Sequence, residues 1–240
     1  NTSSLSVERM TEGLKNPERV VGFHFFNPVA VMPLLEVART STTDDATTAT
    51  AIAVGKELKK TMIICKDAPG FVVNRLLTRF MGEVTDALDE GTPPAVADSA
   101  MMEIGFPMSP FQLLDLVGPG VALHVSETLH NNLGPRYRIS PTMQRMVKEG
   151  VRHFYIKNED GSVGANPAAL ALVEKGTTPS TAEQVRSRAL KALAEEARAM
   201  LDEGVVSTPA EIDLCMLMGA GWPMHLGGIL PYLDREGISE

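Results

Sequence analysis

The spacing of hydrophobic residues changes once along the chain, close to Lys66. Before that position, runs of β-branched and aromatic residues alternate with helix signals. The pattern predicts a short helix, a strand, a second strand, a capped helix and a third strand, at 6–10, 19–26, 34–38, 44–60 and 61–65. This alternation is typical of part of a layered α/β domain.

Beyond Lys66, apolar residues recur at steps of three and four, which is the period of an amphipathic helix. Asp67 is a candidate N-cap with Pro69 in the first turn, and Gly91 is a stop signal, so a long helix is predicted between them. Further helices are expected at 96–104 and from Pro110 onward, and another runs from the capping box at 180–183 to Gly204. Between them, 154–178 is predicted to be a linker with one helical turn.

Two short motifs occur twice in the helical part. Asp-Glu-Gly at 89–91 recurs at 202–204, and Gly-Phe-Pro-Met at 105–108 recurs as Gly-Trp-Pro-Met at 221–224. The offsets differ by only three residues, and each pair of motifs encloses a short capped helix. Chance similarity between two amphipathic helices is the alternative, but the shared order favours an internal duplication.

Composition narrows the class of protein. The 240 residues carry a net charge of −8, with 44 % hydrophobic and 22 % charged residues, which excludes disorder as the main state and argues against nucleic acid as a partner. Cys65 and Cys215 have no neighbours at metal-ligand spacing, so neither a disulfide scaffold nor a metal site is expected. No apolar run is long enough to predict a membrane span.

His24 is the strongest candidate for chemistry among the five histidines. It lies near the end of an apolar strand, where a titratable ring needs a partner, and Glu36 lies twelve positions later in the next apolar strand. A carboxylate bonded to one ring nitrogen fixes the tautomer and favours the imidazolium, as in a general base. A purely structural His–Glu pair is the alternative at this stage.

Three segments together resemble a known family. Residues 22–29 (GFHFFNPV) with 34–37 (LLEV), residues 66–76 (KDAPGFVVNRL) and the polar turn at 1–4 (NTSS) look like the motifs of the L-3-hydroxyacyl-CoA dehydrogenases. The resemblance covers about the first half of the chain. The internal duplication resembles the multifunctional fatty-acid β-oxidation α subunit, which fuses an enoyl-CoA hydratase to the dehydrogenase and carries a duplicated helical domain.

The resemblance implies a role for each matching residue. His24 would be the general base and Glu36 the group that orients it, while Ser3 and Asn74 would bind the substrate by hydrogen bonds. Asn27 would lie beside the nicotinamide of the cofactor, NAD. Taken alone, Ser3 is better explained as a helix cap and Asn74 as a polar residue on an exposed helix face, and Asn27 can be a turn former before a proline. The joint motif reverses that preference for Ser3 and Asn74.

The fold implied is mainly α. Tandem helical dehydrogenase C-terminal-type domains would occupy 67–165 and 166–240, after the last part of an α/β Rossmann-like domain at 1–66. Ser109 departs from the family, which usually has glycine before the Pro-Phe of that loop. The departure predicts a slightly altered turn and puts the fine geometry of the substrate pocket in question.

The dinucleotide-binding signature G-x-G-x-x-G is absent from the sequence. Two G-x-G runs, at 118–120 and 219–221, lack the third glycine and follow no predicted strand. Because the chain also begins at Asn1, we expect a fragment that starts partway through a domain. We predict that this chain alone neither binds NAD tightly nor turns over.

The leading hypothesis is therefore an oxidoreductase that converts L-3-hydroxyacyl-CoA to 3-ketoacyl-CoA with NAD. The resemblance implies a thiolase β subunit as partner and a location in the bacterial cytoplasm or the mitochondrial matrix. A non-enzymatic helical module that binds a partner subunit is the alternative, since the 13 methionines suit an adaptable surface. A related dehydrogenase acting on another 3-hydroxy acid is a third hypothesis.

Overall fold

The computed structural model describes Thr2 and residues 5–238. The chain divides into two compact units. The first unit contains Asn1–Leu77 and Ala194–Glu240, and the second contains Thr78–Leu193. The division into three domains made from the sequence is a different partition, and it stays a prediction.

Eleven α-helices and five strands are described, together with short 3-10 helices at Pro17–Arg19, Met102–Ile104 and Met224–Leu226. In chain order they are α1 (Val7–Thr11), β1 (Gly22–Phe25), β2 (Leu34–Arg39), α2 (Asp45–Glu57), β3 (Thr61–Lys66), α3 (Val73–Asp89), α4 (Pro94–Ser99), α5 (Pro110–Val117), α6 (Pro119–Leu133), α7 (Pro141–Lys148), β4 (Tyr155–Lys157), β5 (Val163–Ala165), α8 (Pro167–Leu170), α9 (Ala182–Asp202), α10 (Pro209–Gly219) and α11 (Ile229–Arg235).

The first unit is built on a three-stranded sheet in the order β1-β2-β3. The central strand β2 pairs with β1 antiparallel and with β3 parallel. This register sets His24 directly opposite Glu36 on the neighbouring strand. Since side chains of directly opposed residues project to the same face of a sheet, the histidine and the glutamate are brought together by the strand pairing itself.

Helices cover both faces of this sheet. Leu35 and Val37 point to one face, where they pack against Ala51 of α2. Alternate residues point to the other face, where a Cβ built on Gly219 of α10 would lie 2.5 Å from Leu34 Cδ2. Glu36 shares the face of Leu34, so its carboxylate lies in the buried layer on the α10 side.

The second unit is helical with one small hairpin, β4–β5. Its core contains the stacked rings of Phe111 and Phe154, whose centroids lie 4.4 Å apart. The carboxylate of Asp115 accepts hydrogen bonds from the backbone N–H groups of Phe154 (2.6 Å) and Tyr155 (2.9 Å). These contacts attach the start of the hairpin to α5.

The duplicated Asp-Glu-Gly motif has the same backbone structure in both copies. Gly91 and Gly204 both adopt positive φ, at 103° and 64°. Each donates its N–H to the carbonyl three residues earlier, and the next residue donates to the carbonyl five residues earlier. Both helices thus end in the same glycine-dependent cap, and the duplication itself stays a prediction.

Several boundaries predicted from the sequence are wrong. The long helix begins at Val73 rather than near Asp67, because Phe71 has φ 50° and the Asp67 carboxylate binds α1 instead. The strand predicted at 19–26 is shortened to β1 by the preceding 3-10 helix. The helix predicted at 96–104 is split into α4 and a 3-10 helix.

The predicted linker at 154–178 contains the β4–β5 hairpin and α8, and α6 and α7 had no predicted counterpart. Ser109 does not disturb its loop. Its backbone is extended (φ −74°, ψ 159°), which any residue adopts, and its hydroxyl caps α5 by accepting from Gln112 N. The mainly α fold class with a preceding α/β part is confirmed by the order and type of the elements.

Among the described residues, no helix is both long and apolar enough to cross a membrane, and no group of three metal-ligating side chains occurs. Cys65 and Cys215 are free thiols buried in the first unit. Burial is the main cause that raises the pKa of each thiol, so both are held in the unreactive protonated form.

Candidate active site

The site centres on a buried imidazole–carboxylate pair. His24 Nδ1 and Glu36 Oε2 lie 2.6 Å apart, and the two residues are 4 % and 0 % exposed. The ordered β1–β2 register positions both side chains. A buried charged group is tolerated only when it forms hydrogen bonds. Here the imidazole and the carboxylate form one with each other.

The second carboxylate oxygen of Glu36 is held by the start of α3. Oε1 accepts hydrogen bonds from Val72 N (3.1 Å) and Val73 N (2.9 Å). These are N–H groups at a helix N-terminus, which lack partners within the helix and carry the positive end of its dipole. Both favour an ionised carboxylate, so the geometry supports Glu36 as an anion.

An ionised carboxylate only accepts hydrogen bonds, so the proton in the 2.6 Å contact belongs to His24 Nδ1. The neutral ring then carries a lone pair on Nε2, the nitrogen turned away from Glu36. This tautomer is the one that can take a proton from a bound molecule. The arrangement can therefore act as a general base whose orientation is fixed by two strands and one helix.

Two aromatic rings surround the imidazole. The centroid of Phe26 lies 4.6 Å from that of His24 with an edge-on geometry, and the centroid of Phe71 lies at 5.5 Å. Phe71 is buried and has φ 50°, a left-handed conformation that costs a non-glycine residue about 1 kcal/mol or more. This turn directs the following N–H groups, those of Val72 and Val73, at Glu36.

The other predicted site residues have the following positions. Asn74 is the second residue of α3 and directly follows Val73, whose N–H binds Glu36. Asn27 is exposed, lies three positions after His24 and precedes Pro28 across a cis peptide bond. Ser3 lies outside the described residues. The structure thus brings His24 and Glu36 into direct contact and places Asn74 on the helix that holds Glu36.

The residue pattern gives no sign that Phe71 or the backbone N–H groups of Val72 and Val73 belong to the site. A backbone N–H leaves no mark in residue type, so only the Pro-Gly-Phe turn before the helix signalled a special backbone there. Within that turn, Gly70 has φ 74°, a conformation that favours glycine, so its residue type indicates the unusual backbone.

Comparison with known families agrees with these features. Residues 1–68 match the family model described as "3-hydroxyacyl-CoA dehydrogenase, NAD binding domain". Residues 70–155 match the family model described as "3-hydroxyacyl-CoA dehydrogenase, C-terminal domain". The two matches follow one another along the chain in the order of the fold, with an NAD-binding-type α/β part before a helical part.

The chain belongs to the 3-hydroxyacyl-CoA dehydrogenase family. It is 34 % identical over 258 aligned residues to the fatty acid oxidation complex subunit alpha of Acinetobacter baylyi, an alignment that covers 100 % of this chain and 36 % of the relative. The corresponding subunit of Shewanella amazonensis is 32 % identical over 249 residues, with 100 % and 35 % covered. The chain thus spans about a third of the length of these relatives.

Solved structures of the family have the same fold. The 3-hydroxybutyryl-CoA dehydrogenase of Escherichia coli K12 superposes with a TM-score of 0.81 at 24 % identity, over 98 % of this chain and 67 % of that one. The (S)-3-hydroxybutyryl-CoA dehydrogenase of Ralstonia eutropha is 37 % identical with a TM-score of 0.60, over 64 % and 55 %. The match to the NAD-binding model identifies NAD as the family's cofactor, and the alternative of a non-enzymatic module gains no support.

Proposed function

We propose that this chain supplies the catalytic base and part of the substrate site of an enzyme that oxidises L-3-hydroxyacyl-CoA to 3-ketoacyl-CoA. The observation that carries the proposal is the chain of contacts from the α3 N-terminus through Glu36 to His24 Nδ1. That chain leaves one imidazole nitrogen as a proton acceptor at a fixed place.

In the proposed reaction, His24 Nε2 takes the proton of the substrate's 3-hydroxyl group. Bound NAD would supply the acceptor for the hydride on the carbon that carries this hydroxyl group. The imidazole becomes a cation, and the adjacent Glu36 carboxylate stabilises it without itself being protonated. Because Glu36 is already ordered by two backbone donors, no reorganisation is needed when the charge forms.

Ser3 and Asn74 are proposed to donate hydrogen bonds to the developing ketone oxygen and to the thioester end of the substrate. The position of Asn74 in the first turn of α3 supports this role, because the same turn holds Glu36. Asn27 is proposed to lie beside the nicotinamide. Its exposure next to the strand that carries His24 suits that role.

The residues of this chain fit the reacting end of NAD and not its phosphates. No G-x-G-x-x-G loop is found in the 240 residues, so this sequence supplies no backbone cradle for the pyrophosphate. We therefore expect this chain by itself to bind NAD weakly. Isothermal titration tests this expectation, and a dissociation constant in the low micromolar range would contradict it.

The relatives' shared name, fatty acid oxidation complex subunit alpha, supports a wider proposal for the whole protein. We propose that it also carries an enoyl-CoA hydratase, assembles with a thiolase β subunit and works in the cytoplasm. The domain limits 1–66, 67–165 and 166–240 are proposed as its dehydrogenase segments. Size measurement of the purified protein with and without a co-expressed thiolase tests the assembly.

The catalytic proposal is tested by replacing His24 with alanine in the whole protein and following NADH formation from an L-3-hydroxyacyl-CoA. Loss of a general base is expected to lower kcat by about 10²–10⁴-fold. His153→Ala is the matched control, because His153 is exposed and lies in the second unit. A His24→Ala enzyme that keeps a near wild-type rate would show that the His–Glu pair is structural.

A further inference from the structure

Lys60 holds the loop that follows the strand of the proposed catalytic base. Residues 27–33, the 27–33 loop, form most of the connection from β1, which carries His24, to β2. The Lys60 ammonium group donates hydrogen bonds to two carbonyl oxygens of this loop, those of Val29 and, at 2.7 Å, Met32. A single side chain thus binds the loop at two separate places.

The backbone on either side of Lys60 is itself fixed. Before it, α2 ends in a Schellman-type cap, in which Lys59 has φ 56° and Lys60 N donates to Gly55 O at 3.0 Å. After it, Thr61 N donates to Pro33 O at 2.8 Å as β3 begins. Lys60 therefore projects from a hydrogen-bonded junction between a helix and a strand, and all of these contacts lie within the first unit.

The 27–33 loop has little packing of its own. Its first five residues are exposed, Val31 by 73 %. Val31 N and Met32 N both donate to Pro28 O at 2.9 Å, which closes a turn within the loop but does not attach it to another element. Charge-assisted hydrogen bonds from an ammonium group are stronger than bonds between neutral groups. The two bonds from Lys60 are therefore expected to be a main attachment of this exposed loop to the first unit.

We propose that Lys60 is a positioning residue of the dehydrogenase. By binding the 27–33 loop, it holds Asn27, the first residue of the loop, at the place where Asn27 meets the nicotinamide of NAD. This inference rests on the proposed function and adds to it, because it gives the exposed Asn27 a fixed position relative to His24. Lys60 then affects the reaction only through the loop that it holds.

Hydrogen–deuterium exchange of the whole protein without NAD tests whether Lys60 fixes the loop. Lys60→Met keeps the length of the side chain and removes its donors. The backbone N–H groups of Val31 and Met32 are expected to exchange about tenfold faster or more, because the turn that they close loses its attachment. Lys56→Met is the matched control. Lys56 is exposed in the last turn of α2, so the same change of charge there is expected to leave exchange in the loop unchanged.

A double-mutant cycle tests whether the loop acts through Asn27, with Lys60→Met and Asn27→Ala made singly and together and NADH formation measured at varied NAD. Lys60→Met is expected to raise the KM for NAD and to lower kcat/KM about tenfold or more, since misplacing a contact by about 1 Å can cost up to 10²-fold. In the Asn27→Ala background the same change is expected to cost less than about twofold, because the contact is already gone. A role of Lys60 in stability alone would lower the amount of folded enzyme, but would leave the KM for NAD unchanged and produce no coupling with Asn27.

The outcomes separate this inference from the proposed function. Unchanged exchange in the 27–33 loop of Lys60→Met, or equal kinetic effects of Lys60→Met with and without Asn27, overturns the positioning role and leaves the proposed function intact. Near wild-type activity of His24→Ala overturns the proposed function, and the inference with it. If Lys60→Met does not fold, Lys60→Gln replaces it in both measurements, because the glutamine side chain is uncharged and one atom shorter. The same faster exchange and coupling then support the role, and their absence overturns it.

Discussion

Arg75 is fully buried and has two acidic partners of very different exposure. Its Nε donates to Glu196 Oε1 at 2.8 Å and its Nη2 donates to the same oxygen, while Nη1 donates to Glu203 Oε2 at 2.7 Å. The side chain of Glu196 is 1 % exposed and that of Glu203 is 40 % exposed. Replacing each glutamate by glutamine therefore separates a desolvated ion pair from a solvated one.

Glu196→Gln removes the buried charge partner of Arg75 and leaves the partly exposed Glu203 carboxylate beside the guanidinium group. Breaking a buried pair costs about 3–5 kcal/mol, and the remaining Glu203 places this case near the lower end, about 3 kcal/mol. Glu203→Gln is expected to cost about 1 kcal/mol or less, because water already screens that pair. The ratio of the two costs, about three to one, is the prediction.

Urea unfolding monitored by tryptophan fluorescence measures both costs. Trp222 is the single tryptophan in the sequence, is buried and lies in the first unit with Arg75, so its emission reports on the unit that is perturbed. Thermal melts are expected to show a fall of roughly 6–12 °C for Glu196→Gln. Equal losses for the two variants, or a loss under about 1 kcal/mol for Glu196→Gln, would refute the assignment of Arg75–Glu196 as a desolvated pair.

Three further predictions concern stability. Burial raises the pKa of Asp86 from its ordinary 3.8 to about 6, so between these pH values the folded protein keeps a proton that the unfolded chain releases. The free energy of unfolding is therefore expected to fall as pH rises from about 4 to about 6. Asp86→Asn is expected to abolish that fall in thermal melts across the range. Gly22→Ala is expected to cost about 1–3 kcal/mol by pushing Val7 off the sheet, whereas an unchanged urea midpoint would contradict the close packing. Tyr155→Phe is expected to cost about 1–2 kcal/mol, since the Tyr155 hydroxyl donates to buried Asp98; a neutral effect in urea unfolding would show that water replaces it.

The sequence was most informative where a structural feature requires a particular residue type. An imidazole and a carboxylate in neighbouring apolar strands pointed to a His24–Glu36 contact, and the strand register makes that contact at 2.6 Å. The repeated glycine stop signals were also readable, because both positions require positive φ. Such features are local, and each leaves its mark in residue identity.

The sequence was least informative where the backbone carries the interaction. The sequence predicts too early a start for α3, because Asp67 resembles an N-cap, whereas its carboxylate accepts hydrogen bonds from α1, some sixty positions earlier in the chain. The sequence predicts a linker at 154–178 because Gly, Asn and Pro are mixed there with short apolar patches, and the Phe154 and Tyr155 N–H groups that bind Asp115 leave no mark in residue type. Long-range partners of this kind cannot be read from local periodicity.

The choice of backbone rather than side-chain donors for Glu36 affects how the site tolerates mutation. Any residue other than proline at positions 72 and 73 supplies the same N–H group, so most substitutions there leave both hydrogen bonds to Glu36 in place. Side chains at these two positions are then free to vary with the packing around them. Substitutions at the two positions that hold Glu36 are therefore expected to leave the orientation of His24 unchanged.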